Sequence, residues 1–158
     1  MIFVTVGTQL PFDRLVGTVD AWLAKHPEER GYAQVGADAA PVQHLEASAF
    51  VTAAECERRM READLVVAHA GMGSILTALG LQKPILVMPR RADLGEHRND
   101  HQMATARWLA KHPGVHVVWN EQELLQRLDD RAAIVGGPGI GPYASPELVA
   151  NLRRFLFA

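Results

Sequence analysis

Three short, almost wholly apolar runs constrain this chain more than any other feature: Ile2-Phe3-Val4-Thr5-Val6 (interrupted only by the β-branched Thr5), Leu65-Val66-Val67-Ala68 and Ile85-Leu86-Val87-Met88. Each is too short for a core helix and too uniformly apolar for a strand with one wet face. Each therefore reads as a strand covered on both sides, as in a parallel sheet. Between them the apolar residues change to helical spacing, as at Phe12, Leu15, Val16, Val19 and Leu23, where His26-Pro27 stops the pattern. Strands alternating with helices predict βαβ units and a Rossmann-like, mostly parallel sheet flanked by helices.

The remaining elements are weaker. Tyr32-Ala33-Gln34-Val35 predicts a strand, and a shorter one falls near Ala49-Phe50-Val51. Thr52 with Glu55, and Asn120 with Glu123, have the spacing of helix-capping pairs. A turn at His69-Ala70-Gly71-Met72-Gly73-Ser74 leads to a helix over Ser74 to Leu81, and Lys83-Pro84 returns the chain to a strand that Pro89 ends. A helix is expected from about Asn99 to Lys111 and a last strand over Val115 to Trp119. Residues 136–142 form a glycine- and proline-rich break, and a terminal helix covers 145–157. Leu148, Leu152 and Phe155, widened by Val149 and Leu156, make an apolar stripe on it beside Arg153 and Arg154. That stripe suits packing on the chain's own sheet or contact with a partner.

With 158 residues and no internal repeat, the chain is expected to form a single domain over 1–158. The net charge of −2 gives no support for a nucleic-acid partner. Cys56 is the only cysteine, which excludes an internal disulfide and suits a reducing compartment; its place on an apolar helical face reads as inert core. Met1 to Gly7 lacks a basic leader, and no apolar run approaches the ~20 residues that span a bilayer. A cytoplasmic location is expected.

Ligands of open parallel sheets bind beyond the carboxyl ends of the strands. Three features fall there: Gly7-Thr8-Gln9, His69 to Ser74, and the stretch from Pro89 to Gln102. The first two suit a diphosphate, because glycines admit a ligand close to the backbone and each turn opens a helix with free N–H groups. Either turn alone reads first as a tight connection with Ser74 as a cap, and His69 equally as a histidine bonded to neighbouring backbone. Two such turns in one small domain favour an anion. Neither carries a complete dinucleotide fingerprint or a phosphate-loop lysine. Glu96-His97-Arg98-Asn99-Asp100-His101-Gln102 is dense in groups that read sugar hydroxyls, or is a solvated helix start. His97 and His101 lie four apart, but Glu96 precedes both, unlike the zinc-protease helix.

Taken together, Gly7-Thr8-Gln9 with Pro11 to Leu15, His69-Ala70-Gly71-x-Gly73-Ser74, Lys83-Pro84, Pro89 and His101-Gln102 resemble the C-terminal domain of family-28 glycosyltransferases, from Met1 to about Trp119. The match is closest to small split versions, the catalytic subunits of dolichol-linked UDP-GlcNAc transferase and of bacterial exopolysaccharide glycosyltransferases. The resemblance implies the donor half of a GT-B enzyme, with a UDP-sugar as substrate, no cofactor and no essential metal. It implies inverting transfer to a lipid-linked acceptor, with the acceptor half on a membrane-anchored partner subunit that also supplies the peripheral link to the membrane. Thr8, Gln9, Gly71, Gly73 and Ser74 are then expected at the phosphates, with Gly7, His69 and Met72 beside them and Glu96, His101 and Gln102 near the sugar. The general base is expected on the partner, with His97 a weaker candidate. Many relatives carry a glutamate where Thr77 stands, expected at the ribose. Two further readings stay open: a non-catalytic enhancer subunit that binds nucleotide sugar, and half of an epimerase-like enzyme.

Overall fold

The computed structural model describes residues 1–157; Ala158, the last residue of the expected domain, lies outside the described residues. Six strands form one sheet: β1 (Ile2–Thr5), β2 (Gly31–Gln34), β3 (Glu46–Ser48), β4 (Leu65–His69), β5 (Ile85–Met88) and β6 (Val115–Val117). Their order is β3-β2-β1-β4-β5-β6, and every pairing is parallel. The helices are α1 (Asp13–Leu23), α2 (Ala53–Glu62), α3 (Met72–Gly80), α4 (His101–Leu109), α5 (Glu121–Asp129) and α6 (Pro146–Leu156).

Strand periodicity divides the core into two layers. Ile2, Val4, Leu86 and Met88 face α1 and α5, where Leu15, Val19, Trp22, Leu124 and Leu128 cover them. Phe3, Val66, Ile85 and Val87 face the other way, under Met60 of α2, Ile75 and Leu79 of α3 and Leu109 of α4. The Trp22 indole N–H donates to Asp129 at 2.7 Å, tying α1 to α5. Lys83 donates to the Ala63 carbonyl at 2.8 Å, so the Lys83-Pro84 pair fastens α2 to the start of β5.

Both expected caps form: Thr52 accepts from the Glu55 amide at 3.1 Å and Asn120 from the Glu123 amide at 2.9 Å. Several boundaries differ. β3 lies at Glu46–Ser48 rather than near Phe50, because pairing with Tyr32–Gln34 fixes this edge strand and its own sequence carries no apolar run. α3 begins at Met72, so Gly73 and Ser74 lie inside its first turn. α4 occupies only His101–Leu109 of the expected span, and β6 stops at Val117.

The glycine-rich break is a strap. A Cβ at Gly136 would strike the Gln82 carbonyl, and one at Gly137 the Pro113 carbonyl, so the strap lies against backbone before β5 and β6. The chain thus leaves the core at the amino-end pole of the strands. α6 follows with its stripe uncovered: Leu152 is 51% and Phe155 84% exposed. Packing of α6 on the chain's own sheet is thereby ruled out, since none of its residues is buried. Among the described residues, no helix is long and apolar enough to cross a membrane.

Candidate functional site

At the carboxyl end of β1 the chain turns at Gly7, whose φ of +76° is costly for any residue with a side chain. A buried polar pair fixes that turn. The Thr5 hydroxyl donates to Gln34 Oε1 at 2.8 Å and accepts from the Gly7 amide at 3.3 Å. Gln34 Nε2 then donates to the Gly7 carbonyl at 2.7 Å and the Ala49 carbonyl at 3.1 Å. Among the described residues, none accepts from the Thr8 or Gln9 amide.

At the end of β4 the His69 ring is wedged between the two glycine turns. A Cβ on Gly7 would come within 2.7 Å of Nε2, and one on Gly71 would collide with the same atom and stand 2.8 Å from Cε1. Both glycines are therefore needed for packing against His69, whatever binds nearby. Gly73 is different: a Cβ there meets nothing, so its small size is not required by packing within the chain. His69 Nδ1 faces the Thr5 carbonyl at 3.4 Å, which places the hydrogen on Nδ1 and leaves Nε2 bare. Burial, followed by the positive charge of Arg90, pushes the His69 pKa down to about 4. The ring is neutral at neutral pH.

Behind the first turn lies Arg90, only 2% exposed. Its Nη1 donates to the carbonyls of Pro11 (2.6 Å) and Glu96 (3.3 Å), and its Nη2 to those of Val6 (2.9 Å) and Leu10 (2.5 Å). The guanidinium also lies 4.7 Å from the Phe12 ring centroid. The Glu96 carboxylate is committed elsewhere, to Arg14 at 2.5 and 2.8 Å and to the Arg91 amide at 2.8 Å. Gln102, from the first turn of α4, bridges two strand ends: Oε1 accepts from the Ala70 amide at 3.1 Å and the Arg90 amide at 3.2 Å. Those bonds identify the oxygen and leave Nε2 as the free, donating end.

These parts enclose a cavity of about 650 Å³ at the carboxyl ends of β1 and β4, where the strand order reverses. The volume is within the usual range for small-molecule sites. Of the residues singled out from sequence, the cavity gathers Gly7, Thr8, Gln9, His69, Gly71, Gly73, Ser74, Thr77, His97 and Gln102. Met72, Glu96 and His101 do not line it. Met72 and His101 are exposed at helix starts, and Glu96 is held by Arg14 and the Arg91 amide. Thr77 lines the wall, but its hydroxyl donates back to the Gly73 carbonyl at 2.8 Å. His97 Nδ1 is buried without a partner.

Sequence reasoning missed Thr5, Gln34 and Arg90, the fully buried polar side chains among the described residues, all of which line this one cavity. It also missed the opposite wall, where α2 and the loop before it contribute Val51, Ala53, Cys56 and Met60, with Glu57 as the lining carboxylate. Cys56, expected to be inert core, is half-buried in that wall, and burial pushes its thiol pKa up. The cavity thus has a polar end of amides and a buried cation, and an apolar side. Among the described residues no three of His, Cys, Asp and Glu cluster as a metal site.

Known proteins are similar to this chain in sequence and in fold. The UDP-N-acetylglucosamine transferase subunit ALG13 of Eremothecium gossypii is 40% identical over 93 residues, 58% of this chain and 45% of that protein, so the match spans less than half of that relative. The solution structure of ALG13 superposes with a TM-score of 0.61 at 20% identity, covering 96% of this chain and 93% of that one. The crystal structure of the kitacinnamycin glycotransferase gives a TM-score of 0.64 at 19% identity, covering 98% of this chain and 38% of that one. SnogD, a glycosyltransferase from Streptomyces nogalater, gives 0.54 at 18% identity, over 84% and 35%. At these identities the structures share the fold, that of GT-B glycosyltransferases. The model of the glycosyltransferase family 28 C-terminal domain matches residues 1–131, and the chain belongs to that family.

Proposed function

We propose that this chain is the donor-binding subunit of an inverting glycosyltransferase that uses a UDP-sugar and serves a lipid-linked acceptor in polysaccharide or glycan biosynthesis. The observation that carries the reading is the convergence of Thr5, Gln34 and Arg90 beneath two turns that open into one cavity. Buried polar groups are costly unless they are bonded, and here their bonds hold a loop whose Thr8 and Gln9 amides find no acceptor among the described residues. Those amides and the first turn of α3 suit a diphosphate, and the wall of Val51, Ala53, Cys56 and Met60 suits a flat base. When the sugar–phosphate bond breaks, UDP departs with added negative charge, and preorganised N–H groups stabilise it. Such a site works without a metal ion.

The relative ALG13 is named as a subunit, and a partner is proposed here too. In this proposal the cavity at the ends of β1 and β4 supplies the donor site, and the acceptor and the general base belong to a second, membrane-anchored polypeptide. We assign the uncovered stripe of α6 as its attachment point, and such a partner would hold this chain at the cytoplasmic face of the membrane. The test of the donor site is calorimetric titration with UDP, ADP and NAD, with and without EDTA. UDP binds most tightly and EDTA changes nothing; equal affinities, or binding abolished by EDTA, overturn the reading. Transfer from UDP-sugar to lipid acceptor is then assayed with the chain alone and with its partner. Robust transfer by the chain alone refutes the split arrangement.

A further inference from the structure

Arg90 is a buried cation without a carboxylate bonded to it. Its Nη groups are occupied by four carbonyls, which supply dipoles but no charge. Glu96 lies close enough to favour the guanidinium, yet its oxygens bond Arg14 and the Arg91 amide. His69, also in the cavity wall, is neutral, and Glu57 belongs to the wall formed by α2, where it pairs with Arg61. Arg14 bonds both Glu96 and, at 3.4 Å, the more exposed Glu121, so both carboxylates sit on Arg14 and neither is bonded to Arg90. An arginine cannot shed its charge by deprotonating. Burying an uncompensated cation is costly, and a chain that needed only to tie a loop could do so with neutral donors.

We propose that Arg90 is the positioning residue for the diphosphate: it fixes the Val6–Pro11 loop through its carbonyl bonds, and its charge, to which no carboxylate is bonded, faces the bound phosphates. This rests on the nucleotide-sugar reading of the same cavity. Since the four Nη hydrogens are spent on main-chain carbonyls, Arg90 acts through the loop and through its field rather than by gripping the phosphates with its fork. The polar end is thereby selective for charge. UDP gains from the field, UMP gains less, and uridine gains nothing.

The experiment is titration of the full chain with UDP, UMP and uridine at several ionic strengths, for wild type, Arg90→Lys and Arg90→Gln. In wild type the order is UDP, then UMP, then uridine, and salt weakens UDP while sparing uridine. Arg90→Gln is expected to lose roughly tenfold to hundredfold in UDP affinity, to keep uridine within about twofold, and to flatten the salt dependence. Arg90→Lys keeps the charge with fewer loop bonds, so it melts at a lower temperature yet retains the salt dependence and the preference for UDP. If Arg90→Gln fails to fold, Arg90→Lys decides: a retained preference supports the proposal and a lost one overturns it. Equal weakening of UDP and uridine, with the salt slope intact, would show that Arg90 only braces the loop. Wild type that binds UDP and uridine equally would sink the nucleotide-diphosphate reading itself.

Discussion

Gly71 offers a test in which the sign of the outcome is decisive. Its backbone, at φ −86° and ψ 129°, is ordinary extended geometry, so alanine fits there without strain. On conformational entropy alone Gly71→Ala should stabilise the protein by about 0.4–1 kcal/mol. Against that stands the His69 ring, with Cε1 at 2.8 Å and Cδ2 at 2.9 Å from the added Cβ, well inside the ~3.5 Å of a comfortable carbon contact. The ring is flanked on its other side by the Gly7 turn, and its Nδ1 faces the Thr5 carbonyl, so moving it disturbs both. Overpacking of this kind costs about 1–3 kcal/mol, and each kcal/mol lowers the melting temperature of a chain this long by about 2–4 °C. Gly71→Ala is therefore expected to be net destabilising and to lower nucleotide affinity, measured by denaturant unfolding and titration. In a His69→Ala background the same change becomes neutral or stabilising. Gly7→Ala gains no such full rescue, since its positive φ costs about 1–2 kcal/mol whether or not the ring is present. A Gly71→Ala protein more stable than wild type refutes the wedge.

Three further outcomes follow from the same geometry. His69 is neutral when folded with a pKa of about 4 and has an ordinary value of 6.5 when unfolded, so the unfolded chain binds the extra proton first. Stability is complete above about pH 6.5 and falls by about 3 kcal/mol as pH drops towards 4; His69→Gln removes that part of the slope in a pH series of thermal melts. Gln102→Ala loses the bonds to the Ala70 and Arg90 amides, at about 1 kcal/mol each, and weakens UDP as well as UDP-sugar, whereas Gln102→Glu keeps both bonds and melts near wild type while repelling UDP. Leu152→Glu with Phe155→Glu leaves the melting temperature unchanged, because neither side chain is buried, and prevents co-purification with the partner; a marked loss of stability would mean that α6 packs on its own domain.

Most of the fold was legible because the buried strands write their environment into sequence. β1, β4 and β5 are covered on both faces and read as continuous apolar runs. The caps of α2 and α5 were legible for a local reason: donor and acceptor sit three residues apart. β3 was not, because it is an edge strand whose position is dictated by Tyr32–Gln34 across the ladder rather than by Glu46-Ala47-Ser48. α6 shows the complementary gap. Its stripe of Leu148, Leu152 and Phe155 specifies a helix with an apolar side, but nothing in that periodicity states which surface it meets.

The candidate site divides in the same way, and Arg90 shows what signal existed. The glycine turns were visible, yet two of their three cavity-lining glycines are held by packing against His69, an interaction between strand ends that spacing along the chain does not encode. In the polar stretch after Pro89, residue type gave hydrogen-bonding capacity without direction. Glu96 turns to Arg14, Asp100 accepts from the Ala92 amide, and the Nε2 end of Gln102 and His97 Nδ1 stay without partners among the described residues. Arg90 is the first of two consecutive arginines, and strand parity distinguishes it from Arg91. Leu86 and Met88 face the α1 layer, and continuing the period of two past β5 puts Arg90 on that buried row beside Phe12, with Arg91 on the other side. A cation in register with a buried row must find compensation, and the carbonyls of Val6, Leu10 and Pro11 give it hydrogen bonds while the nearby Glu96 carboxylate bonds Arg14 instead. That lack of a bonded carboxylate is what ties the register to the proposed ligand as well as to the core.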